Sequence, residues 1–114
     1  MDLKSRSAVV TGGGRGIGAA IADALARAGC RVLVCARSAG EVEEVACRLR
    51  RDGHEAHAAT CDVADPESVG GMARQAERKL GPVDILVNNA GIAPSAPLLK
   101  TSLEDWDRAL AVNA

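Results

Sequence analysis

Five glycines and one arginine crowd the stretch Thr11-Gly12-Gly13-Gly14-Arg15-Gly16-Ile17-Gly18. Glycine weakens strands and helices alike, so a cluster between a β-branched run and a helix-patterned segment implies that something approaches the backbone there. Free N–H groups at a helix start, reinforced by the macrodipole, suit an anion such as a phosphate. Gly12, Gly16 and Gly18 have the spacing G-x-x-x-G-x-G, which differs from G-x-G-x-x-G and from a P-loop, since Ala19 follows Gly18. For the loop alone, a tight turn that binds nothing is the alternative.

Arg15 weighs against that alternative. A cation in the first turn opposes the macrodipole by up to about 1 kcal/mol at an exposed site, and a bound anion would offset this cost. Arg37 stands about 20 residues beyond the loop, where a dinucleotide fold that prefers NAD carries an acid for the ribose 2′-hydroxyl. Cys35, Ala36, Arg37 and Ser38 supply no acid. These positions predict that Arg15 and Arg37 clasp a 2′-phosphate, with NADP(H) preferred and NAD(H) still accepted. The alternative is two solvated arginines, with Ser38 serving only as a helix cap.

Asn88 and Asn89 end an apolar run, and buried amides need partners. They either tie neighbouring strand ends together beside a ligand or serve simple turn chemistry. His54 and His57 flank a weak strand on the opposite side and read as surface residues.

The elements that position these groups alternate. Ser7–Thr11, Arg31–Ala36, Glu55–Cys61 and Val83–Asn88 read as strands. The first helix pattern places Ile17, Ala20, Ile21, Ala24, Leu25 and Ala28 on one apolar face, stopped by Gly29. In the second, Val42, Val45, Ala46 and Leu49 repeat the pattern behind a Ser38/Glu41 capping box, and Arg48, Arg50 and Arg51 form its solvated end. The third starts at Asp65 with Pro66 at N1, buries Val69, Met72, Ala73, Ala76 and Leu80, and stops at Gly81-Pro82. A fourth begins near Leu103 behind Thr101 and Glu104, with Trp106 and Leu110 on its buried face.

Apolar strands alternating with helices predict a parallel α/β sheet, doubly wound, covered on both faces, in the order 3-2-1-4. Ligands of such sheets lie outside the carboxyl ends of the strands. The glycine loop, Arg37, Asp62 and Asn88-Asn89-Ala90-Gly91 all fall at those ends.

A chain of 114 residues, 47% hydrophobic and 25% charged, fits one compact domain or part of a larger one. Its net charge of -1 leaves no electrostatic footprint for nucleic acid. With no signal peptide and no spanning segment, it reads as cytoplasmic with no membrane partner. Cys30, Cys35, Cys47 and Cys61 lack metal-ligand spacing and read as free thiols. Phe and Tyr are absent, and Trp106 is the lone aromatic residue.

Taken together, these residues resemble the short-chain dehydrogenase/reductase family. Thr11 to Gly18 is similar to its T-G-x-x-x-G-x-G, Asn88 to Gly91 to its N-N-A-G, and Asp62-Val63 to the pair that holds the adenine. The resemblance implies a Rossmann-type sheet and hydride transfer between a nicotinamide and a carbonyl or alcohol carbon of a small molecule. It implies cofactor contacts from Thr11, Gly12, Gly14, Arg15, Gly16, Ile17 and Gly18, beside those of Arg37 and Ser38. Further contacts fall to Asp62, Val63, Asn89, Ala90 and Gly91.

Asn113 matches the asparagine of the Asn-Ser-Tyr-Lys catalytic tetrad, where it orders a proton-relay water. No tyrosine is present, and Tyr-x-x-x-Lys is expected beyond Ala114. Residues 1–114 are therefore expected to be part of an NAD(P)-binding domain, catalytically incomplete alone and homo-oligomeric at full length. A 3-oxoacyl thioester is one candidate substrate; sugars, steroids and small ketones are others. The alternative is a non-catalytic dinucleotide-binding or interaction module. Against it, strand four would be an edge bearing only the charge of Asp84, which predicts self-association of the isolated 114-mer.

Overall fold

The computed structural model describes residues 3–14 and 16–89. Strands β1 (Ser7–Thr11), β2 (Arg31–Ala36), β3 (Ala56–Thr60) and β4 (Ile85–Asn88) alternate with helices α1 (Gly16–Arg27), α2 (Ala39–Arg51) and α3 (Pro66–Leu80). The strands form one sheet in the order β3-β2-β1-β4. All three pairings are parallel, with Val9 opposite Leu33 and Leu86, and Val34 opposite Ala58. The central strands β1 and β2 carry unbroken apolar runs because both faces of the sheet are covered.

On one face, Ala8, Val10, Val32 and Val34 pack with Ala22 and Ala26 of α1 and with Val42, Val45, Ala46 and Leu49 of α2. On the other, Val9, Leu33 and Leu86 pack with Val69, Met72, Ala73, Ala76 and Leu80 of α3. The caps expected for α2 and α3 are present. Ser38 Oγ accepts the Glu41 N–H at 3.4 Å, and Asp65 Oδ1 accepts the Glu67 N–H at 3.0 Å. Gly81 ends α3 with φ 73°, a conformation costly for a side chain.

The buried face of α1 differs from the expected one. Gly18, Ala22 and Ala26 are buried, Ala19, Ile21 and Leu25 are partly so, and Ala20, Ala24 and Ala28 are exposed. Ile17 is 71% exposed. The helix is turned by about one residue step, roughly 100°, because its small residues, not its large ones, face the sheet.

Two strands are shorter than expected. β3 loses Glu55 and Cys61 from its ends, although Val32 N–H still donates to Glu55 O and Cys61 N–H to Ala36 O. β4 begins at Ile85, just after Asp84, whose N–H donates to Ser7 O at 2.9 Å and whose carboxylate accepts the Ser7 N–H at 3.0 Å. Asp84 thus caps the start of β1 and pairs with Arg6 at 3.6 Å. The expected fourth helix, with Leu103, Trp106 and Leu110, lies outside the described residues.

Candidate functional site

The chain turns back on itself directly after β1. Gly12, at φ 66°, starts the loop, and Gly13 N–H donates to Cys35 O at 3.2 Å, which fastens the loop to the end of β2. Gly18 then passes against Gly12. A Cβ on Gly18 would sit 1.9 Å from Gly12 O and 2.8 Å from Asn89 Nδ2, so no side chain fits there. Gly16, the first residue of α1, has φ 61°, where glycine alone is unstrained.

Thr11 and Asn89 hold this loop to β4. The Thr11 hydroxyl donates to Asn88 Oδ1 at 2.8 Å and accepts the Asn89 N–H at 3.0 Å. Asn89 Nδ2 donates to Gly12 O at 3.5 Å. Of the two roles open to the asparagines, tying strand ends together is the one observed. Thr11 is buried and Asn89 half-buried, so both support the loop from beneath.

An open groove of ≈ 840 Å³ runs across the carboxyl ends of β1, β2 and β3. Gly12 and Gly14 line it from the loop, Arg37 and Ser38 from the end of β2, and Asp62 and Val63 from the turn after β3. Arg37 is exposed, and Ser38 both caps α2 and faces the groove. The Asp62 carboxylate accepts the Ala64 N–H at 2.9 Å, an Asx turn that shapes the entry to α3. Gly16 and Ile17 are exposed at the head of α1 and are not among the groove's lining residues. Arg15, Ala90, Gly91 and Asn113 lie outside the described residues.

Two groove residues carry more chemistry than their sequence positions suggested. Glu41 lines the groove as well as standing in the capping box, and Cys61 lines it beside Asp62. The Cys35 thiol donates a hydrogen bond to the Cys61 sulfur, and Ser68 adds another, so the Cys61 thiol is held below its ordinary value although burial opposes this. The same contact holds Cys35 well above its ordinary value, and burial raises it further. Register carried the signal for this pair. Cys35 faces Ala59 across the β2–β3 ladder, and Cys61, two residues on, returns to the same face. Among the described residues, no His, Cys, Asp and Glu group is arranged to hold a metal, and no helix is long and apolar enough to cross a membrane.

The arrangement offers an anion a glycine-lined helix start with one guanidinium across the groove. It offers a flat polar group the turn at Asp62-Val63. Known proteins share both the sequence and the fold. An uncharacterized oxidoreductase of Mycobacterium tuberculosis is 45% identical over 111 residues, covering 97% of this chain and 42% of that protein. D-threitol dehydrogenase of Mycolicibacterium smegmatis is 43% identical, over 97% of this chain and 43% of its own length. An actinorhodin polyketide ketoreductase variant, solved with NADPH, superposes with TM-score 0.80 at 31% identity, over 89% of this chain and 47% of its own.

The chain thus spans less than half the length of these relatives. The model of the short chain dehydrogenases matches residues 6–114. With that match joined to the four-stranded 3-2-1-4 sheet and its glycine loop, the chain belongs to the short-chain dehydrogenase family.

Proposed function

We propose that this protein is an NADP(H)-dependent oxidoreductase whose residues 1–114 form the greater part of the cofactor site. The observation that carries this reading is the groove. Gly12 and Gly14, Arg37 and Ser38, and Asp62 and Val63 come from three separate crossovers and line one cleft. The residues fit a dinucleotide. Gly18 brings α1 against the Gly12 carbonyl, which leaves the helix start open toward the loop. The exposed Arg37 stands where an acid for an unphosphorylated ribose is missing.

When bound, the nicotinamide supplies or accepts the hydride. The loop would hold the pyrophosphate on backbone N–H groups of Gly14 and of the first turn at Gly16 and Ile17. Arg37, with Arg15, would neutralise the 2′-phosphate, and Ser38 would add a hydroxyl beside it. Asp62 and Val63 would flank the adenine. Thr11, Asn88 and Asn89 keep the loop and the end of β4 at one level, and Gly18 keeps the loop thin. Ala90 and Gly91 would continue that wall, and Asn113 would order a proton-relay water.

The substrate class is a carbonyl compound or the corresponding alcohol, a 3-oxoacyl thioester being one candidate. The D-threitol dehydrogenase and the polyketide ketoreductase among its relatives support that class. A cytoplasmic, homo-oligomeric enzyme whose Tyr-x-x-x-Lys lies beyond residue 114 completes the reading. The three buried free thiols, Cys30, Cys35 and Cys61, accord with a reducing compartment.

Titration of the complete gene product with NADPH and NADH tests the central point. NADPH is expected to bind at least about tenfold more tightly, and Arg37→Ala to remove most of that difference, as loss of a charge-assisted phosphate contact does. Equal affinities in the unmodified protein would overturn the NADP(H) assignment.

A further inference from the structure

We infer that Ser68, in the first turn of α3, is a positioning residue of the cofactor site: it fixes the level at which Asp62 meets the adenine amino group. The inference rests on the reading of the groove given above. Ser68 is not among the lining residues of the main groove, and acts through Asp62, which is.

The chain between β3 and α3 is held by a different means at each step. Cys61 N–H donates to Ala36 O at 2.9 Å, which keeps Cys61 level with the end of β2. Val63 packs against the core on the α3 side. Asp62 stands half-buried between them, and hydrogen bonds set its place. Its carboxylate accepts the Ala64 N–H at 2.9 Å and its carbonyl accepts the Asp65 N–H at 2.9 Å, but both partners belong to the same turn. The bond that reaches beyond the turn runs from Asp62 N–H to Ser68 Oγ, at 2.9 Å.

A serine hydroxyl has one proton, and that of Ser68 goes to the Cys61 sulfur, which leaves the oxygen turned to accept. Helix α3 is itself fixed to the sheet by Val69, Met72 and Leu80. Ser68 thus ties the turn to a rigid element. Packing does not replace the bond, because an open cavity of ≈ 270 Å³, lined by Arg37, Thr60, Cys61, Asp62 and Ser68, adjoins it. A serine in a first helical turn can also serve its helix alone, as a cap. Here Asp65 already caps α3 through the Glu67 N–H at 3.0 Å, so the Ser68 bond serves the turn.

An ionised carboxylate has acceptor capacity beyond one N–H, so Asp62 can also accept from an amino group. Adenine carries such a group, and hypoxanthine carries an oxygen in its place. Hydrogen bonds weaken steeply with poor distance and angle, so a turn released from Ser68 loses the amino contact before it loses the phosphates.

The experiment measures dissociation constants of NADPH and of its hypoxanthine analogue. It uses the complete gene product, Ser68→Ala, Ser68→Thr, Asp62→Ala and the double variant Ser68→Ala with Asp62→Ala. Alanine is a good helix former, so Ser68→Ala keeps α3. The unmodified protein is expected to prefer NADPH by at least about tenfold. Ser68→Ala is expected to weaken NADPH about fivefold and the analogue hardly at all. Ser68→Thr keeps the hydroxyl and has the cavity for its methyl group, so the preference should return. In Asp62→Ala the preference is already lost, and adding Ser68→Ala should change it no further.

Equal weakening of both cofactors by Ser68→Ala would mark a purely structural role and overturn the inference, as would an unchanged preference or additive effects in the double variant. Failure of the groove reading looks different, because the unmodified protein would then bind neither NADPH nor NADH, and the role of Ser68 would fall with it. Equal affinities for NADPH and NADH would remove the NADP(H) assignment and leave the role of Ser68 standing.

Discussion

Helices α1 and α3, on opposite faces of the sheet, are packed by opposite means, while α2 beside α1 buries Val42, Val45 and Leu49. Against one, α3 buries Val69, Met72 and Leu80, side chains long enough to fill the space between helix and sheet. Against the other, α1 fully buries only Gly18, Ala22 and Ala26. Long side chains bring area out of water and stabilise the fold. Small ones contribute little area but let backbone meet backbone, as Gly18 meets the Gly12 carbonyl. The difference teaches that α3 serves chiefly for cohesion, whereas α1 is placed so that its N-terminus and the glycine loop form one surface.

The sharpest way to break that comparison is Gly18→Ala. The added Cβ would lie 1.9 Å from Gly12 O, a backbone atom that moves only with the loop. Overpacking of this kind costs roughly 3 kcal/mol, the upper end of the usual range, because a backbone atom must move, and the displaced loop should lose its cofactor affinity as well. Urea denaturation together with NADPH titration reads both quantities. Unaltered stability and binding would mean that α1 does not need to come so close.

Leu80→Ala tests the other face. Leu80 is 2% exposed, in the last turn of α3, and its truncation should cost roughly 2–3 kcal/mol. Because the cavity opens on the side of the sheet away from the loop, NADPH affinity of the folded protein should not change. A fall in affinity matching the fall in urea midpoint would show that the two faces are not separable.

The same contrast decides what sequence could reveal. The bounds and the buried residues of α3 are readable because Asp65, Pro66 and Gly81 mark its ends and large apolar side chains mark its face. Ser38 and the run Val42, Val45, Ala46, Leu49 do the same for α2. In α1 the apolar pattern selects Ile17, Ala20, Ile21, Ala24, Leu25 and Ala28, because periodicity registers hydrophobic size and not the need for thinness. Gly18, a member of the loop motif, is where α1 comes closest to the Gly12 carbonyl, and its lack of a side chain leaves no hydrophobic signal. Arg37, Asp62 and the asparagines were locatable at the strand ends from topology alone. Glu41 was hidden behind an equally good account of it as a cap, and the bonds of Asp84 to Ser7 and Arg6 have no periodic signature. Which partner such a side chain chooses depends on tertiary neighbours.

The smallest effect concerns the buried thiols, which also differ between the faces. Cys30 belongs to the α1 side, and burial, then the charge of Asp84, raises its thiol above the ordinary value. Cys35 and Cys61 belong to the α3 side, where their mutual hydrogen bond holds Cys35 well above and Cys61 below that value. An acid raised in the folded state stabilises fully below its unfolded value and loses that contribution as pH climbs toward the folded one. Cys30 and Cys35 should therefore make stability decline from about pH 9 upward. Cys61 acts in the opposite sense. Its contribution is present above the unfolded value and fades as pH falls through the folded one, which tilts stability gently upward as pH approaches 9. Cys35→Ser keeps a donor for Cys61 but no longer titrates, so urea midpoints measured across this range should retain the rise and lose most of the alkaline decline. If the decline persists in Cys35→Ser and vanishes in Cys30→Ala, the α1 side carries the alkaline sensitivity, and the division of labour drawn between the faces does not extend to their thiols.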